Sequence, residues 1–291
     1  MLVATLLTDP AKAGLDAAPV EALRNAWGGG AARWLNPGIA AEFDLAVPPG
    51  NLWEVWADLQ AQGIDLAVQP AAGRRKRMLL ADMDSTMIAQ ECIDELADLA
   101  GFGPQVAEVT RQAMNGLLDF EPALRARVAL FKGVDAGIID RVLAQRITFT
   151  PGGRELVATM KAAGAHTALV SGGFTAFTER VAAALGFDEH RANLLEIDGG
   201  QLTGTVAEPI LGRQAKIDAL EAITARLGIG AEDVIAVGDG ANDLGMLARA
   251  GAGVALHAKP VVAEKCDLRI NHGDLTALLY LQGYSVDEFA R

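Results

Sequence analysis

The chain has 291 residues, of which 51% are apolar and 21% are charged, and its formal net charge is −12. This balance excludes an intrinsically disordered chain, and the acidic excess argues against binding to nucleic-acid phosphates. No apolar run approaches the roughly 18 residues that a membrane span requires, and two isolated cysteines form no disulfide framework. We therefore expect a globular cytoplasmic protein that binds neither nucleic acid nor membranes.

Residues 1–74 predict a small domain of their own. Apolar alternation and helical spacing mark its elements. In chain order these are a strand at Val3–Leu7, a helix at Val20–Trp27, two strands within 31–47, a helix at Leu52–Gln62 and a strand at Ile64–Val68. The order β-α-β-β-α-β is typical of a ferredoxin-like α+β domain. The basic stretch that ends at Arg77 is expected to be a linker.

Residues 75–291 predict a second, larger α/β domain. Short apolar runs, each followed by a loop and a helical pattern, predict a parallel sheet covered by helices on both faces. These runs are Met78–Ala81, His166–Val170, Asp233–Val237 and Gly253–Leu256. Between about residues 88 and 149 only helical patterns occur. A helical insertion there would cover the carboxyl end of the first strand like a lid.

Two aspartates, Asp82 and Asp84, follow the first of these strands. Side chains at positions i and i+2 of an extended segment point the same way, so both carboxylates can meet one ligand. Ligands of open α/β sheets bind beyond the carboxyl ends of the strands. One carboxylate can then act as a nucleophile or cation ligand while the other moves protons. An Asp-x-Asp at a strand end is also a common structural feature, so the pair alone decides nothing.

Polar residues follow two later strands as well. Ser171, Gly172 and Gly173 offer a hydroxyl and free N–H groups ahead of a helix, which suits an anion. Asp239, between two glycines, could join Asp82 and a carbonyl as an oxygen ligand of Mg²⁺. Each stretch would also pass as an ordinary turn or helix cap.

Three further residues complete this set. Asn242 and Asp243 follow Asp239 closely enough to support ligands or a neighbouring lysine. Lys216 lies at the start of a helical stretch, where a lone lysine is usually solvated. It gains a role only as the cation that balances aspartates and a phosphate in one pocket.

In this order, the motifs resemble the haloacid dehalogenase-like phosphohydrolases over residues 78–273. The resemblance implies a Rossmann-like parallel sheet with a four-helix cap, a Mg²⁺ cofactor and an aspartyl-phosphate intermediate. It implies Asp82 as the nucleophile and Asp84 as the proton donor and acceptor. Carried over position by position, the implied metal ligands are Asp82, Asp84 and Asp239, with Asp243 behind them, and the implied substrate-binding residues here are Ser171, Gly172, Gly173, Lys216 and Asn242.

The lid stretches 87–95, 113–120 and 124–128 resemble the branch of that family that hydrolyses O-phospho-L-serine to L-serine and phosphate, the last step of L-serine biosynthesis. The resemblance implies that Glu91 binds the substrate ammonium and Arg127 its carboxylate. It also implies that Met114 and Phe120 close the pocket. A guanidinium suits a carboxylate and an acid suits an amine, but without the resemblance both charges would be assigned to exposed helix surfaces.

Several alternatives remain open at this point. The substrate could be another small phosphorylated amino acid, phosphothreonine or phosphohomoserine, in a phosphatase or phosphotransferase reaction. An inert phosphatase half serving an amino-acid sensor is disfavoured by the intact Asp84, and a dehalogenase by the metal-type site. Cys92 has no histidine partner and is expected to pack within the lid.

Residues 1–74 match the ACT-like, ferredoxin-like extensions of the family only in outline. No ligand-binding motif carries over to them. We therefore expect that domain to serve in packing or in a homodimer contact rather than as a regulatory site, because analogy of fold carries little functional weight.

Overall fold

The computed structural model describes residues 1–114 and 117–290, without the side chain at position 114. The strands are β1 (Leu2–Thr8), β2 (Arg33–Asn36), β3 (Ala40–Leu45), β4 (Ile64–Pro70), β5 (Met78–Ala81), β6 (His166–Phe174), β7 (Glu189–Asn193), β8 (Leu195–Asp198), β9 (Gln201–Val206), β10 (Val234–Gly238), β11 (Ala252–Leu256) and β12 (Leu268–Ile270). The helices are α1 (Ala17–Ala26), α2 (Leu52–Gln60), α3 (Cys92–Ala100), α4 (Gly103–Met114), α5 (Phe120–Ala129), α6 (Ile138–Gln145), α7 (Gly153–Ala162), α8 (Thr175–Leu185), α9 (Arg213–Leu227), α10 (Leu244–Arg249), α11 (Pro260–Ala263) and α12 (Ala277–Leu281).

The chain divides into two compact units. One consists of Met1–Leu80, Thr150–Thr167 and Leu220–Arg291, and the other of Ala81–Phe149 and Ala168–Ala219. Among the described residues, no helix has the length and apolar character that crossing a membrane would require.

The first unit contains a four-stranded antiparallel sheet in the order β2-β3-β1-β4. The predicted β-α-β-β-α-β order is confirmed. Strand β1 lies inside the sheet, and six of its seven residues are buried, which explains its continuous apolar run. Gly38 makes the turn between β2 and β3 with a φ of +77°, a conformation that costs glycine little.

All four tryptophans of the chain belong to this sheet and its helices. Trp27, Trp34 and Trp56 pack against its apolar core. Trp53 differs, since 42% of it is exposed and the guanidinium of Arg269 in β12 lies 4.0 Å from its ring centroid. This cation–π contact links helix α2 to strand β12.

A second sheet has six strands in the order β12-β11-β10-β5-β6-β7. The pairs β10–β11, β11–β12 and β6–β7 are parallel. The four predicted core strands are confirmed, and β5 and β10 are buried at every position. Strands β7 and β12 were not predicted. They lie at the two edges of the sheet. Strand β7 is mostly polar and β12 has only three residues, so both lack the apolar pattern of a strand that is covered on both faces.

The second unit contains the helical insertion. Helices α3 to α6 occupy the predicted lid region, and β8 and β9 form an antiparallel hairpin. The hairpin is bound to the loop after α5, where Gly133 N–H donates to the Leu202 carbonyl at 2.8 Å and Leu202 N–H donates to Val134 at 2.9 Å. The hairpin therefore holds one end of the lid.

Asp65 in β4 ties the antiparallel sheet to the loop after β12 within the first unit. Its carboxylate is completely buried and accepts hydrogen bonds from the backbone N–H groups of Asn271, His272 and Gly273 at 2.9, 2.9 and 2.8 Å. Three donors satisfy a charge that would otherwise be costly to bury. The sequence gives no sign of this role, because Asp65 looks like a polar residue on a strand.

We expect Asp65→Ala to lower the free energy of unfolding by about 3 kcal/mol, because charge-assisted bonds are lost and three backbone N–H groups lose their acceptor. Urea denaturation of the full chain measures this. The matched control is Asp58→Ala, at an exposed aspartate of α2, for which the change should stay within about 0.5 kcal/mol. Equal effects of the two substitutions would contradict this account of Asp65.

Candidate active site

The first catalytic candidate is a buried ion pair at the end of β5. Asp82 follows the strand and is 4% exposed, and its Oδ1 lies 2.6 Å from Nζ of Lys216, which is 1% exposed on α9. A lone lysine on a helix is usually solvated, but this one is buried against a carboxylate, as the hypothesis of a charge-balancing cation requires. A buried ammonium and a buried carboxylate compensate each other, since either alone would pay a large desolvation cost.

Asp84 occupies a different environment from Asp82, although only one residue separates them. Its Oδ1 accepts the Cys92 backbone N–H at 2.9 Å, and its Oδ2 accepts the Ser171 hydroxyl at 3.2 Å. Exclusion of water raises the pKa of Asp84 to about 6, and the nearby Glu91 carboxylate adds to the shift. A carboxyl that titrates close to neutral pH is suited to giving and taking protons.

Ser171, Gly172 and Gly173 lie beside Asp84 at the end of β6. Gly173 N–H donates to the Ser171 hydroxyl oxygen at 2.9 Å, and a Cβ on Gly173 would fall 2.8 Å from Asp84 Oδ2. Glycine is therefore required for this close approach. These residues were expected to precede a helix from Phe174, and α8 begins one residue later, at Thr175, because β6 continues through Phe174 with a shift of register against β7.

The loop after β10 is organised by Asp243, which is completely buried. Its Oδ2 accepts the Gly240 N–H at 3.0 Å, and a Cβ on Gly238 would overlap its carboxyl group. Asp239 is 7% exposed, and its Oδ2 lies 3.9 Å from Nζ of Lys259. Asn242 is half-buried beside Gly240.

Three aspartates form a carboxylate group that could hold a metal ion. One oxygen each from Asp82, Asp239 and Asp243 lies within 4.8 Å of the other two, and all three residues are buried. Asp243, expected behind the ligands, belongs to this group, whereas the Asp84 side chain is not among its members. Carboxylates this close repel each other, and an all-oxygen set fits a hard divalent cation that neutralises them.

The lid candidates are Glu91, at the start of α3, and Arg127, on α5. Glu91 precedes α3, is exposed, and accepts the Ser85 hydroxyl at 2.8 Å. Arg127 is half-buried, and its Nε donates to the Ala123 carbonyl at 3.2 Å. Burial lowers the pKa of Arg127, and the carboxylates of Asp94 and Glu91 oppose that shift. Opposite charges therefore face one another on the lid.

Phe120, at the start of α5, rests on two glycines. A Cβ on Gly172 would lie 3.3 Å from its Cζ, and a Cβ on Gly212 would lie 3.2 Å from its Cδ1. A side chain at either position would therefore crowd the ring. The other predicted pocket-closing residue, Met114, has its side chain outside the described residues.

Sequence reasoning missed Asp94 and Gly212. Burial and then Glu91 raise the pKa of Asp94, while Arg127 lowers it. Asp94 lies three residues after Glu91, a spacing that places two side chains on one face of a helix, and this spacing could have indicated it. Gly212 sits in a loop, where glycine is unremarkable. Cys92 packs in the lid as expected, and burial raises the pKa of its thiol far above the usual range.

Comparison with known proteins finds matches over most of the chain. A family model described as haloacid dehalogenase-like hydrolase matches residues 79–248. A phosphoserine phosphatase of Streptomyces coelicolor is 45% identical over 230 residues, 78% of this chain and 56% of that protein. A phosphoserine phosphatase of Albidiferax ferrireducens is 46% identical over 210 residues, 70% of this chain and 89% of that protein.

A solved structure of similar fold is a HAD family hydrolase from Salmonella enterica serovar Typhi. It has a TM-score of 0.86 and 32% identity, and the match covers 97% of this chain and 98% of that chain. The match therefore includes the antiparallel sheet as well as the parallel one. The chain spans just over half the length of the Streptomyces relative and most of the length of the other two proteins.

We expect Lys216→Met to lower the free energy of unfolding in chelator by about 3–5 kcal/mol, because Asp82 keeps a buried charge without this cation. The double variant Asp82→Asn/Lys216→Met should be more stable than Lys216→Met, since it removes that charge. Urea denaturation measures both. Lys265→Met, at an exposed lysine, is the control, and additive effects of the Asp82 and Lys216 substitutions would rule out the coupling.

Proposed function

This chain belongs to the haloacid dehalogenase-like hydrolases, and we propose that it hydrolyses O-phospho-L-serine to L-serine and phosphate, the last step of L-serine biosynthesis. The observation that carries the proposal is the unequal pair at the end of β5. Asp82 is buried against Lys216, while Asp84 is bound by Ser171 and Cys92 and has a raised pKa. The choice of O-phospho-L-serine as substrate is supported by two relatives that bear the name phosphoserine phosphatase.

In the proposed first step, a carboxylate oxygen of Asp82 attacks phosphorus, and the bond from phosphorus to the serine oxygen breaks. Asp84 gives its proton to that departing oxygen, which would otherwise leave as a poor alkoxide. In the second step, water attacks phosphorus, Asp84 takes the proton of the water, and the bond to Asp82 breaks. The raised pKa of Asp84 supports both transfers.

The phosphoryl oxygens carry the charge that has to be stabilised during transfer. We assign this to the Ser171 hydroxyl, the Gly172 and Gly173 backbone, the Lys216 ammonium and the Asn242 amide. Donors fixed before the reaction stabilise developing charge without reorganising. The hydrogen bond from Gly173 N–H to Ser171 Oγ supports a cradle that is already ordered.

We propose Mg²⁺ as the cofactor, held by the carboxylates of Asp82 and Asp239 and by a carbonyl oxygen at Asp84, with the Asp243 carboxylate beside them. The three-carboxylate group supports a hard divalent cation at this place. When bound, the ion supplies positive charge that neutralises the phosphoryl oxygens and the aspartates.

For the amino-acid part of the substrate, we propose that Glu91 binds the ammonium and Arg127 the carboxylate. The facing charges on α3 and α5 support this, and Phe120, with Met114, is proposed to close the pocket. A substrate that supplies one cation and one anion would complete the charges that the lid presents.

We further propose a domain division at residues 74/75, with the cap at about 88–149. The cytoplasm is the proposed location, and the two buried free cysteines, Cys92 and Cys266, support a reducing compartment. A homodimer contact is the proposed use of residues 1–74.

The test is phosphate release from O-phospho-L-serine, O-phospho-L-threonine and phosphohomoserine, with and without Mg²⁺ and a chelator. We expect release to need the metal, and kcat/KM to favour phosphoserine by roughly 10- to 200-fold, the worth of one extra methyl or methylene group. Preference for either homologue would transfer the proposal to that substrate.

In the same assay, we expect Asp82→Asn to lower kcat by roughly a thousandfold or more, because no other group can replace the nucleophile. Asp58→Asn is the matched control and should leave kcat unchanged. Intact turnover in Asp82→Asn would show that the nucleophile is assigned wrongly.

We expect Arg127→Ala to raise KM for O-phospho-L-serine at least about 10-fold, since a charge-assisted hydrogen bond is worth about 1.5–3 kcal/mol. With O-phosphoethanolamine, which lacks the carboxylate, the same substitution should have little effect. Arg125→Ala is the control, because Arg125 lies two residues away in α5 and is bound to Glu121 and Glu208. An equal rise in KM for both substrates would contradict the assignment.

A further inference from the structure

Asn193, the last residue of β7, joins two backbone segments of the proposed site. It is 1% exposed. Its Nδ2 donates to the Gly172 carbonyl at 2.8 Å and to the Leu211 carbonyl at 3.1 Å, and its Oδ1 accepts the Leu211 N–H at 2.7 Å. One side chain thus connects the end of β6 with the segment that leads into α9, both within the second unit.

The first connection fixes the direction of a peptide group. The Gly172 carbonyl and the Gly173 N–H belong to the same peptide, and in a trans peptide they point in opposite directions. Because Asn193 holds the carbonyl, the N–H is directed at Ser171 Oγ, 2.9 Å away. The Ser171 hydroxyl donates in turn to Asp84 Oδ2. A continuous run of hydrogen bonds therefore leads from Asn193 to the proposed proton carrier.

The second connection fixes the start of α9. Leu211 lies two residues before the helix and has both its N–H and its carbonyl bound by Asn193. Lys216 is the fourth residue of the helix, and its ammonium reaches Asp82. A shift of the segment at Leu211 would therefore move the lysine relative to the proposed nucleophile.

The two segments also carry the glycines on which Phe120 rests. Gly172 is bound by Asn193 directly, and Gly212 follows Leu211. Atoms of the Phe120 ring lie 3.3 and 3.2 Å from the positions that a Cβ would take on Gly172 and Gly212. Asn193 therefore sets the separation of the two points where the lid aromatic docks.

We propose that Asn193 is a positioning residue for phosphoryl transfer, which holds the Gly172–Gly173 peptide and the start of α9 in one fixed arrangement. The inference rests on the proposed function for its readout in turnover. The residue type fits the role, because a buried amide of this size supplies two donors and one acceptor together. Aspartate lacks the donors, and alanine leaves buried backbone groups without partners.

The test uses Asn193→Ala and Asn193→Asp in the full chain, assayed well below their melting temperatures. We expect kcat for O-phospho-L-serine to fall roughly 10- to 100-fold in both, as for other residues that orient groups in contact with the substrate. KM should change much less, because Glu91 and Arg127 still bind the amino-acid end. Calorimetry with inorganic phosphate should show weaker binding to both variants.

The control is Gln282→Leu. Gln282 is also 1% exposed and also bonds to backbone, donating to the Leu278 carbonyl and accepting the Lys76 N–H. None of these partners belongs to the proposed site. We expect a lower melting temperature with unchanged kcat and unchanged phosphate affinity.

Wild-type kcat and phosphate affinity in the Asn193 variants, with a melting temperature lowered as in the control, would overturn the proposal. If Asn193→Ala does not fold, Asn193→Asp, which keeps the size and the acceptor, decides it. A wild-type protein inactive on phosphoserine would instead refute the proposed function, and the phosphate calorimetry would still test Asn193.

Discussion

The structure depends on the burial of Lys216 against Asp82. Asp82 follows the last residue of β5 and is buried, so its carboxylate pays a desolvation cost, and the Lys216 ammonium at 2.6 Å compensates for it. Helix α9 carries that lysine in its first turn. Asp82, Asp239 and Asp243 form a group of three buried carboxylates, and a cation lowers the cost of such a group.

Surroundings, rather than residue type, make the two aspartates of the β5 end unequal. The Asp82 carboxylate lies 2.6 Å from the Lys216 ammonium. The Asp84 carboxyl accepts hydrogen bonds from the Ser171 hydroxyl and the Cys92 N–H, and the negative charge of Glu91 lies nearby. A cation stabilises the ionised form of the first, while exclusion of water and a like charge favour the neutral form of the second. Nucleophile and proton carrier can thus be the same residue type.

In the parallel sheet, the sequence predicted the four inner strands and missed the two edge strands. Strands β5 and β10 are recognisable as apolar runs, but β7 and β12 carry polar residues, because one of their sides lacks a neighbouring strand. In the site, the end of an apolar run located Asp82 and Asp84 just beyond β5. Burial of Lys216, membership of Asp243 in the carboxylate group and the contacts of Asn193 depend on residues far away in sequence, which no local pattern encodes.

The confinement of all four tryptophans to residues 27–56 has a spectroscopic consequence. Intrinsic tryptophan emission originates entirely from the antiparallel sheet and its helices, and the lid and the aspartate-bearing loops contribute none. Trp53 and Trp56 also sense strand β12, since the Arg269 guanidinium lies 4.0 and 5.2 Å from their ring centroids. Fluorescence therefore records melting of the antiparallel sheet and its attachment to β12, while an opening of the lid would pass unseen.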